Sequence, residues 1–297
     1  MRLLLVDGNN LLMRALMATE KSDMSSYGTS TGPLLVFINT LTRHIREESP
    51  THVAVAWDGP GARRRLLIDP EYKANRVSMP TDSDQELQTR KSDAFDMAQT
   101  FCAVAGIMQV RRQGYEADDI IAQYWNQYSS GADVVILSSD KDYMQLLTDG
   151  TIQIRLSSSS APTDRWDEQR AKDYFGCPIE WIPSVMALMG DAGDNVIGLK
   201  GIGPKTAVKL LKNVNGVLNH IDDKRVKDQW GRVATNLKLV DLRTPTMQAL
   251  PDLPSFKPTK LVGYALSEEF VQFLSIFELN SILKRVYANN LWEDSVR

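Results

Sequence analysis

Short apolar runs alternate with longer amphipathic stretches along the first half of the chain. Three of the runs end in an acid: RLLLVD at Asp7, HVAVAWD at Asp58 and DVVILSSD at Asp140. Continuous apolar runs of this length are typical of buried parallel strands, and IMQV at residues 107–110 is a fourth candidate. The stretches between them, such as PLLVFINTLTRHI, have helical spacing. We therefore predict an α/β fold with a mainly parallel central sheet flanked by helices.

The pattern changes near residue 160. LSSSSAPTD, residues 156–164, is the best loop candidate, and the chain beyond it is mostly helical with Pro and Gly between the helices. We place a boundary there, between an α/β core over residues 1–160 and a helical region over residues 161–297. In the second part, LVGYALSEEFVQFLSIFELNSILKRV is predicted to form helices that pack back on the core.

Composition narrows the class of protein. A chain of 297 residues with 43% hydrophobic content can bury a substantial core. No run approaches the roughly 20 apolar residues of a bilayer span, and Asp7 interrupts MRLLLVDGNN before it could act as a signal peptide. We expect a cytoplasmic protein. Cys102 and Cys177 form no motif and the three histidines are scattered, so a zinc site built from His and Cys is not expected.

Nine acids concentrate at predicted strand ends and helix starts. Three of them lie within four positions of GYEADDII, an octet that has no Lys or Arg to pair with them, and two more are spaced i and i+3 in LMGDAGDN, as on one helical face. Ligand sites of open α/β sheets lie at the carboxyl ends of the strands, so we expect these acids to converge. The nine are Asp7, Asp58, Glu116, Asp118, Asp119, Asp140, Asp142, Asp191 and Asp194.

Oxygen ligands without His or Cys suit magnesium or manganese rather than zinc. Two such ions about 3.5–4 Å apart can clamp the attacking and leaving oxygens of a displacement at phosphorus, and one of them can lower the pKa of a bound water. A single Asp-x-Asp pair is more often a capping or turn motif, but nine carboxylates exceed the need of one ion. We therefore predict a site for two divalent ions, magnesium or manganese.

The net charge of −3 argues at first sight against a nucleic-acid partner. Nine of the 37 acids belong to the predicted metal site, which leaves 28 other acids against 34 Lys and Arg residues. The rest of the molecule is therefore basic, and the overall balance does not exclude nucleic acid.

The segment GLKGIGPKTAVKLL, residues 198–211, is the first candidate for phosphate binding. A Gly-rich turn enters a helix with Pro204 at its first position, and such a helix N-terminus can face a phosphate. Apolar residues form one stripe of the helix, and Lys205, Lys209 and Lys212 form another. A lysine stripe alone is usually a solvated face, but its fusion to the Gly-rich turn directly after two of the acids favours a DNA backbone as ligand.

The segment GARRRLLIDPEYKANR, residues 61–76, is the second. Asp69 and Pro70 are predicted to start a helix that places Lys73 and Arg76 on one face with Tyr72 beside them. The cations would neutralise a scissile phosphate while the tyrosine stacks on a base; an exposed basic arch that binds nothing is the alternative. The predicted DNA-binding residues are Arg64, Tyr72, Lys73, Arg76, Lys200, Gly201, Gly203, Lys205, Thr206 and Lys209.

Together and in this order, VDGNN, WDGP, YKANR, YEADDIIA, SSDKDYMQLL and MGDAGDNVIGLKGIGPKTAVKLL resemble the motifs of the 5′-nuclease superfamily. This superfamily comprises the flap endonucleases, the 5′→3′ exonuclease domain of bacterial DNA polymerase I and the phage exonuclease/RNase H enzymes. The resemblance covers about residues 1–215. It implies a PIN-like fold with a helical arch at about 60–100, and a C-terminal helical region that completes the active site and contains a helix-three-turn-helix DNA-binding motif at about 185–220.

The resemblance also implies roles for individual residues. Lys73 and Arg76 would act on the scissile phosphate, with Asp58 and Asp140 also counted as catalytic, and Tyr27 would stack on a base near the cut. A potassium ion would sit at the helix-three-turn-helix motif. Asn9, Asn10 and Trp57 depart from the family pattern without occupying a ligand position. A first metal site is implied at Asp7, Asp58, Glu116 and Asp118 with Asp119 adjacent, and a second at Asp140, Asp142, Asp191 and Asp194.

The implied activity is that of a magnesium-dependent, structure-specific 5′ nuclease, a 5′→3′ exonuclease and flap endonuclease with RNase H activity on primers. It would leave a 5′-phosphate and a 3′-hydroxyl during replication and repair. Expected partners are branched or nicked DNA, RNA–DNA hybrids with 5′ ends, and a single-strand-binding protein or another replisome component. We expect a monomer without membrane contact, in a bacterial cytoplasm or a phage-infected host cell.

Two other functions fit part of the pattern. A junction-binding protein that no longer cuts would keep the fold, but it gains nothing from nine carboxylates that face a polyanion. A metal-dependent phosphatase acting on small phosphoesters would use the Asp pairs, but it leaves the Gly-rich turn, the lysine helix and the basic arch without a purpose.

Overall fold

The computed structural model describes residues 1–21, 24–61, 64–76, 82–156, 163–243, 253–256, 259, 267–288 and 291–292, with the backbone alone at residues 76 and 82–84. The centre of the predicted loop at 156–164, residues 77–81 of the predicted helical arch and the start of the predicted C-terminal helical segment lie outside these ranges. Among the described residues, no helix is both long and apolar enough to cross a membrane.

A six-stranded sheet forms the centre of the molecule, in the order β5-β4-β1-β6-β7-β8, and every neighbouring pair is parallel except β7 and β8. The α/β prediction is thereby confirmed, and so are the four predicted strands. The strands of the described residues are β1 (Arg2–Asp7), β2 (Ser25–Ser26), β3 (Thr29–Ser30), β4 (His52–Trp57), β5 (Met108–Arg111), β6 (Asp133–Leu137), β7 (Thr151–Arg155), β8 (Asp164–Trp166), β9 (Gly190–Asp191) and β10 (Val196–Ile197).

Helices cover the sheet and make up most of the chain beyond it. Short 3₁₀ helices occur at Ala74–Arg76, Lys141–Leu146, Ile179–Trp181 and Leu218–His220. The α-helices within the described ranges are α1 (Gly8–Ala18), α2 (Gly32–Glu48), α3 (Arg64–Ile68), α4 (Asp82–Val104), α5 (Ala117–Tyr128), α6 (Glu168–Phe175), α7 (Ile182–Met189), α8 (Pro204–Lys212), α9 (Lys224–Asp228), α10 (Trp230–Val240), α11 (Glu268–Ile276) and α12 (Asn280–Tyr287).

Strand β1 shows why its run is apolar throughout. Leu4 and Val6 point to the face covered by α1, α2 and α4, whereas Leu3 and Leu5 point to the face covered by α5. Helices α11 and α12 join the first of these clusters, which confirms that the C-terminal helices pack back on the core. Helices α6, α7, α8 and α10 form a separate apolar cluster of their own.

Gly8, in VDGNN, permits the close packing at the end of β1. A Cβ atom at this position would lie 2.5 Å from the ring of Trp57. That ring is fully buried and stacks on Phe37, with their centroids 6.0 Å apart. Because no side chain stands at Gly8, α1 can start directly behind β1 and bring its first turn to the edge of the sheet.

Candidate active site

Three acids meet at the carboxyl edge of the sheet. Asp7 is the last residue of β1, Asp58 follows β4 and Asp140 follows β6 after two serines. These strands are adjacent and parallel, so their ends lie together. The charges of Asp58 and Asp140 both act on the carboxyl of Asp7. The edge expected from the sequence therefore collects these three groups.

Two asparagines of VDGNN hold the strand ends in place. The side-chain oxygen of Asn9 accepts the Asp58 backbone N–H at 2.9 Å, and that of Asn10 accepts the Ser139 backbone N–H at 3.0 Å. In the sequence these asparagines depart from the family pattern and occupy no predicted ligand position. The structure shows that they orient the backbone beside two of the candidate acids.

Asp7 is a buried carboxylate, 7% exposed. It accepts hydrogen bonds from the Asn10 backbone N–H and from the Ser138 and Tyr143 hydroxyls. Burial, and next the charges of Asp58, Asp140 and Asp118, raise the pKa of Asp7 to about 7. At neutral pH this carboxylate is ready to take up either a proton or a cation.

The Asp7 pKa predicts a pH-dependent stability in the absence of metal. The unfolded carboxyl titrates near 3.8 and the folded one near 7, so the free energy of unfolding should fall as pH rises from about 4 to about 7. Asp7→Asn should therefore stabilise the protein by about 1–3 kcal/mol at pH 8 and leave it unchanged at pH 4. Urea denaturation in a chelator tests this, with exposed Asp149→Asn as control. An equal gain at both pH values would contradict it.

The start of α5 carries the acids of GYEADDII. Glu116 is the N-cap residue, and its side chain and that of Asp119 form a reciprocal capping box. The Ala117 backbone N–H donates to Asp58 Oδ1 at 2.8 Å, so the helix N-terminus also faces the strand-end acid. Asp118 is partly exposed beside them, and its charge acts on both Asp7 and Asp58.

A buried arginine pairs with the excess negative charge at the start of α5. Arg65, 3% exposed, donates to Glu116 and makes a two-point contact with Asp118, with Nη1–Oδ1 at 3.0 Å and Nη2–Oδ2 at 2.9 Å. Burial alone would raise the pKa of Asp118, but Arg65 and then Lys73 hold it below the ordinary value. Sequence reasoning missed Arg65, which is one of three consecutive arginines.

The segment after α3 differs from the helix predicted to start at Asp69. Residues 69–73 form turns, and Lys73 has a left-handed backbone (φ 56°). Tertiary bonds hold this shape: the Lys73 N–H donates to the Asp194 carbonyl at 2.9 Å, and Asn195 Nδ2 donates to the Glu71 carbonyl at 2.7 Å. These contacts outweigh the local preference for a helix that Asp69 indicated.

Tyr72 and Lys73 face the acids. The Tyr72 hydroxyl donates to Glu116 at 3.1 Å and to Asp194 at 2.9 Å, and the ring is 6% exposed. Because the ring is buried, neither of its faces is open to a base, and the predicted stacking of Tyr72 on a base is wrong. Lys73 Nζ lies 2.7 Å from Glu116 Oε1 and 3.9 Å from Asp194 Oδ2. Burial lowers the pKa of Lys73, but Glu116, Asp118 and Asp194 raise it more, so the lysine stays charged.

The second group of acids lies between the 3₁₀ helix after Asp140 and the β9–β10 hairpin. Asp191 and Asp194 were predicted to share a helical face, but Asp191 ends β9 and Asp194 lies in the hairpin turn. Lys141 Nζ pairs with Asp191 at 2.9 Å. Burial, followed by the charges of Asp140, Asp191 and Asp194, raises the pKa of Asp142 well above its ordinary value. All four acids of the predicted second site therefore interact.

The donor set fits hard divalent cations. The acids offer only oxygen ligands, and among the described residues Asp142 Oδ1 is buried without a hydrogen-bond donor. In the part of the chain that the structure describes, however, no three His, Cys, Asp or Glu side chains are already arranged around one ion position. Arg65, Lys73 and Lys141 pair with the carboxylates instead.

Helix α8 presents the second basic element. Gly203 is its N-cap residue and Pro204 its first residue, as predicted, while Ala207 and Leu211 are buried. Gly201 has φ 77°, which a residue with a side chain rarely adopts. The Gly201 carbonyl accepts a bond from Arg225 Nη1 at 2.9 Å. The lysines predicted to bind DNA in this element, Lys200, Lys205, Lys209 and Lys212, are exposed, and Thr206 is partly exposed.

The remaining candidates have different surroundings. Tyr27, 90% exposed, lies in the turn between β2 and β3 with φ 49°, so its ring is open to a ligand. Arg64 donates to Asp119 at 2.7 Å and is thus committed to the acids rather than directed outward. Arg76 ends a 3₁₀ helix, and its side chain lies outside the described atoms.

Comparison with known proteins agrees with this arrangement. A family model for the N-terminal resolvase-like domain of 5′-3′ exonucleases matches residues 2–176, and one for their C-terminal SAM fold matches residues 177–252. The 5′-3′ exonuclease of Bacillus subtilis is 30% identical over 246 residues, covering 81% of this chain and 80% of the relative. DNA polymerase I of Caldicellulosiruptor bescii is 34% identical over 269 residues, covering 82% of this chain; the chain spans 31% of that polymerase's length.

Solved structures share the fold. The T5 D15 protein co-crystallized with metal ions has a TM-score of 0.69 at 22% identity, with both chains fully covered. Flap endonuclease-1 from Methanococcus jannaschii has a TM-score of 0.60 at 17% identity, covering 99% of this chain and 92% of the other. The predicted nuclease fold with a C-terminal helical region is thus confirmed. By both family models and its relatives, the chain belongs to the 5′-3′ exonuclease family of nucleases.

Proposed function

We propose that this nuclease is a divalent-metal-dependent, structure-specific 5′ nuclease that cuts phosphodiesters near a junction of single-stranded and duplex DNA. One observation carries the proposal: nine interacting carboxylates lie beside a partly buried lysine, Lys73. A site rich in acids repels a polyanion unless cations intervene. The products would be a 5′-phosphate and a 3′-hydroxyl.

We assign two magnesium ions to the carboxylates, with manganese as a substitute. When bound, such ions supply charge neutralisation at phosphorus and lower the pKa of water. Asp7, Asp58, Glu116 and Asp118, with Asp119 adjacent, would hold the first ion, and Asp140, Asp142, Asp191 and Asp194 the second. The fit rests on the oxygen-only donor set, on the unpaired Asp142 oxygen and on the raised pKa of Asp7 and Asp142. Lys73 and Lys141 would have to yield some of these oxygens. Arg65 would keep its contacts, because each carboxylate oxygen that accepts from the guanidinium has a second lone pair for the ion.

Lys73 is the group best placed to act on the phosphate. Its ammonium lies between the acids of α5 and those of the β9–β10 hairpin, and stays charged. With the carboxylates bound to metal ions, Lys73 would be able to donate to a phosphate oxygen and would stabilise the negative charge that develops there. Arg76 would assist it, and Tyr27 would stack on a base near the cut.

Helix α8 and the turn before it would grip duplex DNA. Exposed lysines and a helix N-terminus read the backbone and not the bases, so shape rather than sequence would select the substrate. A potassium ion would bind at the same turn. The substrates would be branched or nicked DNA and RNA–DNA hybrids, so that the activity includes removal of RNA primers and 5′ flaps, with replisome proteins such as a single-strand-binding protein as partners.

DNA binding should weaken steeply with salt. Each lysine–phosphate contact adds about 0.9 to the slope of log K against log salt. Replacing Lys205, Lys209 and Lys212 together by alanine should therefore reduce the slope by about 3. Fluorescence anisotropy at salt concentrations from about 50 to about 200 mM measures this slope. Lys172→Ala, on α6 and paired with Glu168, is the control. A flat wild-type profile would contradict the grip assigned to α8.

The decisive experiment offers the protein a 5′-labelled DNA flap and a 5′-labelled RNA–DNA hybrid, with magnesium and with a chelator. Magnesium-dependent cutting near the junction supports the proposal and shows which strand type is preferred. Tight binding without cutting under any divalent metal would favour a junction-binding protein. Hydrolysis of a small chromogenic phosphoester but not of branched DNA would favour a phosphatase.

A further inference from the structure

Arg65 makes an unusually complete set of contacts for one side chain. Its Nη atoms donate to Glu116 and to both oxygens of Asp118, and Nη2 lies 3.2 Å from Asp119 Oδ1. Its Nε donates to the Leu239 carbonyl at 3.0 Å. The side chain is 3% exposed, so it has no alternative position in water. Every nitrogen of the guanidinium is thus committed.

These contacts join three parts of the chain. Arg65 lies on α3, its carboxylate partners begin α5, and Leu239 lies in the last turn of α10. A carbonyl in the last turn of a helix has no partner within the helix and attracts a cation. Arg65 therefore fastens the acids of the sheet edge to the end of a helix in the C-terminal region.

Gln145 makes a parallel connection to the other group of acids. This fully buried side chain donates from Nε2 to the Asp142 carbonyl at 2.9 Å and to the Val240 carbonyl at 3.0 Å. Its Oε1 accepts the Leu242 N–H at 2.8 Å. Both groups of carboxylates are thus tied to residues 239–242, the last residues of α10 and the two that follow it.

Helix α10 in turn is held to the region that carries α8. Asn236, 1% exposed, donates to the Ala187 carbonyl at the end of α7 and to the Ile197 carbonyl of β10. Helix α8 packs in the same apolar cluster as α7 and α10. Helix α10 is therefore connected both to the carboxylate groups, through Arg65 and Gln145, and to the apolar cluster that contains the predicted DNA-binding helix.

We propose that Arg65 and Gln145 are positioning residues that set the geometry of the two carboxylate groups for divalent metal by fixing them to the end of α10. This rests on the metal site of the proposed function. A guanidinium holds a carboxylate by two parallel bonds and still reaches Leu239, whereas an ammonium acts as a point charge and cannot do both. Arg65 thus supplies geometry in addition to charge, and a lysine in its place would supply charge alone.

The test is the affinity for Mn²⁺ alone, measured by calorimetry or by electron paramagnetic resonance in the full chain without DNA. Arg65→Lys should raise the Mn²⁺ dissociation constant by about 10- to 100-fold, since groups that orient metal ligands have effects of this size on affinity. The charge is retained, so a change in affinity reports geometry. Arg165→Lys is the matched control, because Arg165 bridges a buried carboxylate, Glu48, away from the site; its affinity should stay within about twofold.

A second variant covers the case in which Arg65→Lys does not fold, which thermal denaturation in a chelator reveals. Gln145→Met is close in size and removes the bonds to α10; it too should weaken Mn²⁺ binding. Excess metal should restore part of the cleavage rate in both variants. Folded variants that bind Mn²⁺ as the wild type does would overturn this inference and leave the proposed function standing. A wild type that binds no Mn²⁺ would overturn the metal-dependent function itself, and this inference with it.

Discussion

Replacing Asp140 by asparagine should lower the single-turnover cleavage rate by at least about a thousandfold, equivalent to about 4 kcal/mol of transition-state stabilisation. Asp140 interacts with Asp118 of the first group and with Asp142 and Asp194 of the second, so its loss affects both proposed ions. Its Oδ1 accepts the Asp142 N–H at 3.0 Å, which asparagine can also do. The variant should therefore fold normally and still bind branched DNA.

Cleavage of a 5′-labelled flap under enzyme excess measures the rate, and anisotropy with the same flap measures affinity. Asp149→Asn is the control, an exposed aspartate before β7 at the opposite edge of the sheet. Cleavage near the wild-type rate would remove Asp140 from the site. A loss of DNA affinity as large as the loss of rate would mean that Asp140 acts on binding and not on the chemical step.

Lys73→Ala should lower the single-turnover rate by about a hundredfold while changing junction affinity only a few-fold, because the charge is needed most when negative charge develops at phosphorus. In the proposed complex the lysine would be one cation among several, together with the exposed lysines of α8, so ground-state binding should depend on it little. Its backbone at φ 56° is equally strained for lysine and alanine. The removal of charge is therefore the principal change.

The control for Lys73 is Lys172→Ala, which removes a lysine that is also paired with a glutamate but lies on α6. Rates and affinities should be compared at saturating magnesium, so that metal ions neutralise the carboxylates that lose Lys73 as a partner. An unchanged rate in Lys73→Ala would assign the phosphate to another cation. A rate and an affinity that fall together would indicate a binding role for Lys73.

Much of the site could be predicted because its parts are local. Apolar runs that end in Asp7, Asp58 and Asp140 indicate parallel strands, and parallel strands present their carboxyl ends at one edge. The Gly-rich turn, Pro204 and the lysine stripe likewise describe α8 within a dozen residues. Such features depend on chain direction, side-chain period and backbone freedom, all of which are properties of short segments.

The errors concern segments whose shape depends on distant partners. Asp69 and Pro70 indicate a helix start, but bonds to the β9–β10 hairpin hold residues 69–73 in turns and bury Tyr72. The spacing of Asp191 and Asp194 also fits a helix, yet they lie in that hairpin. Local preferences are worth less than 1 kcal/mol per residue, and a few tertiary hydrogen bonds exceed them.

The sequence by itself therefore determined the fold class, the edge of the sheet where the acids meet and the helix that carries the lysines. Only the tertiary structure decided which cationic side chain pairs with the acids of α5. Arg65 is one of three consecutive arginines, and its partners lie up to 174 residues away along the chain. Burial gives a guanidinium its importance, because an exposed ion pair contributes little and a buried one fixes geometry. Burial is a property of the packed molecule, so no local pattern distinguishes Arg65 from its neighbours.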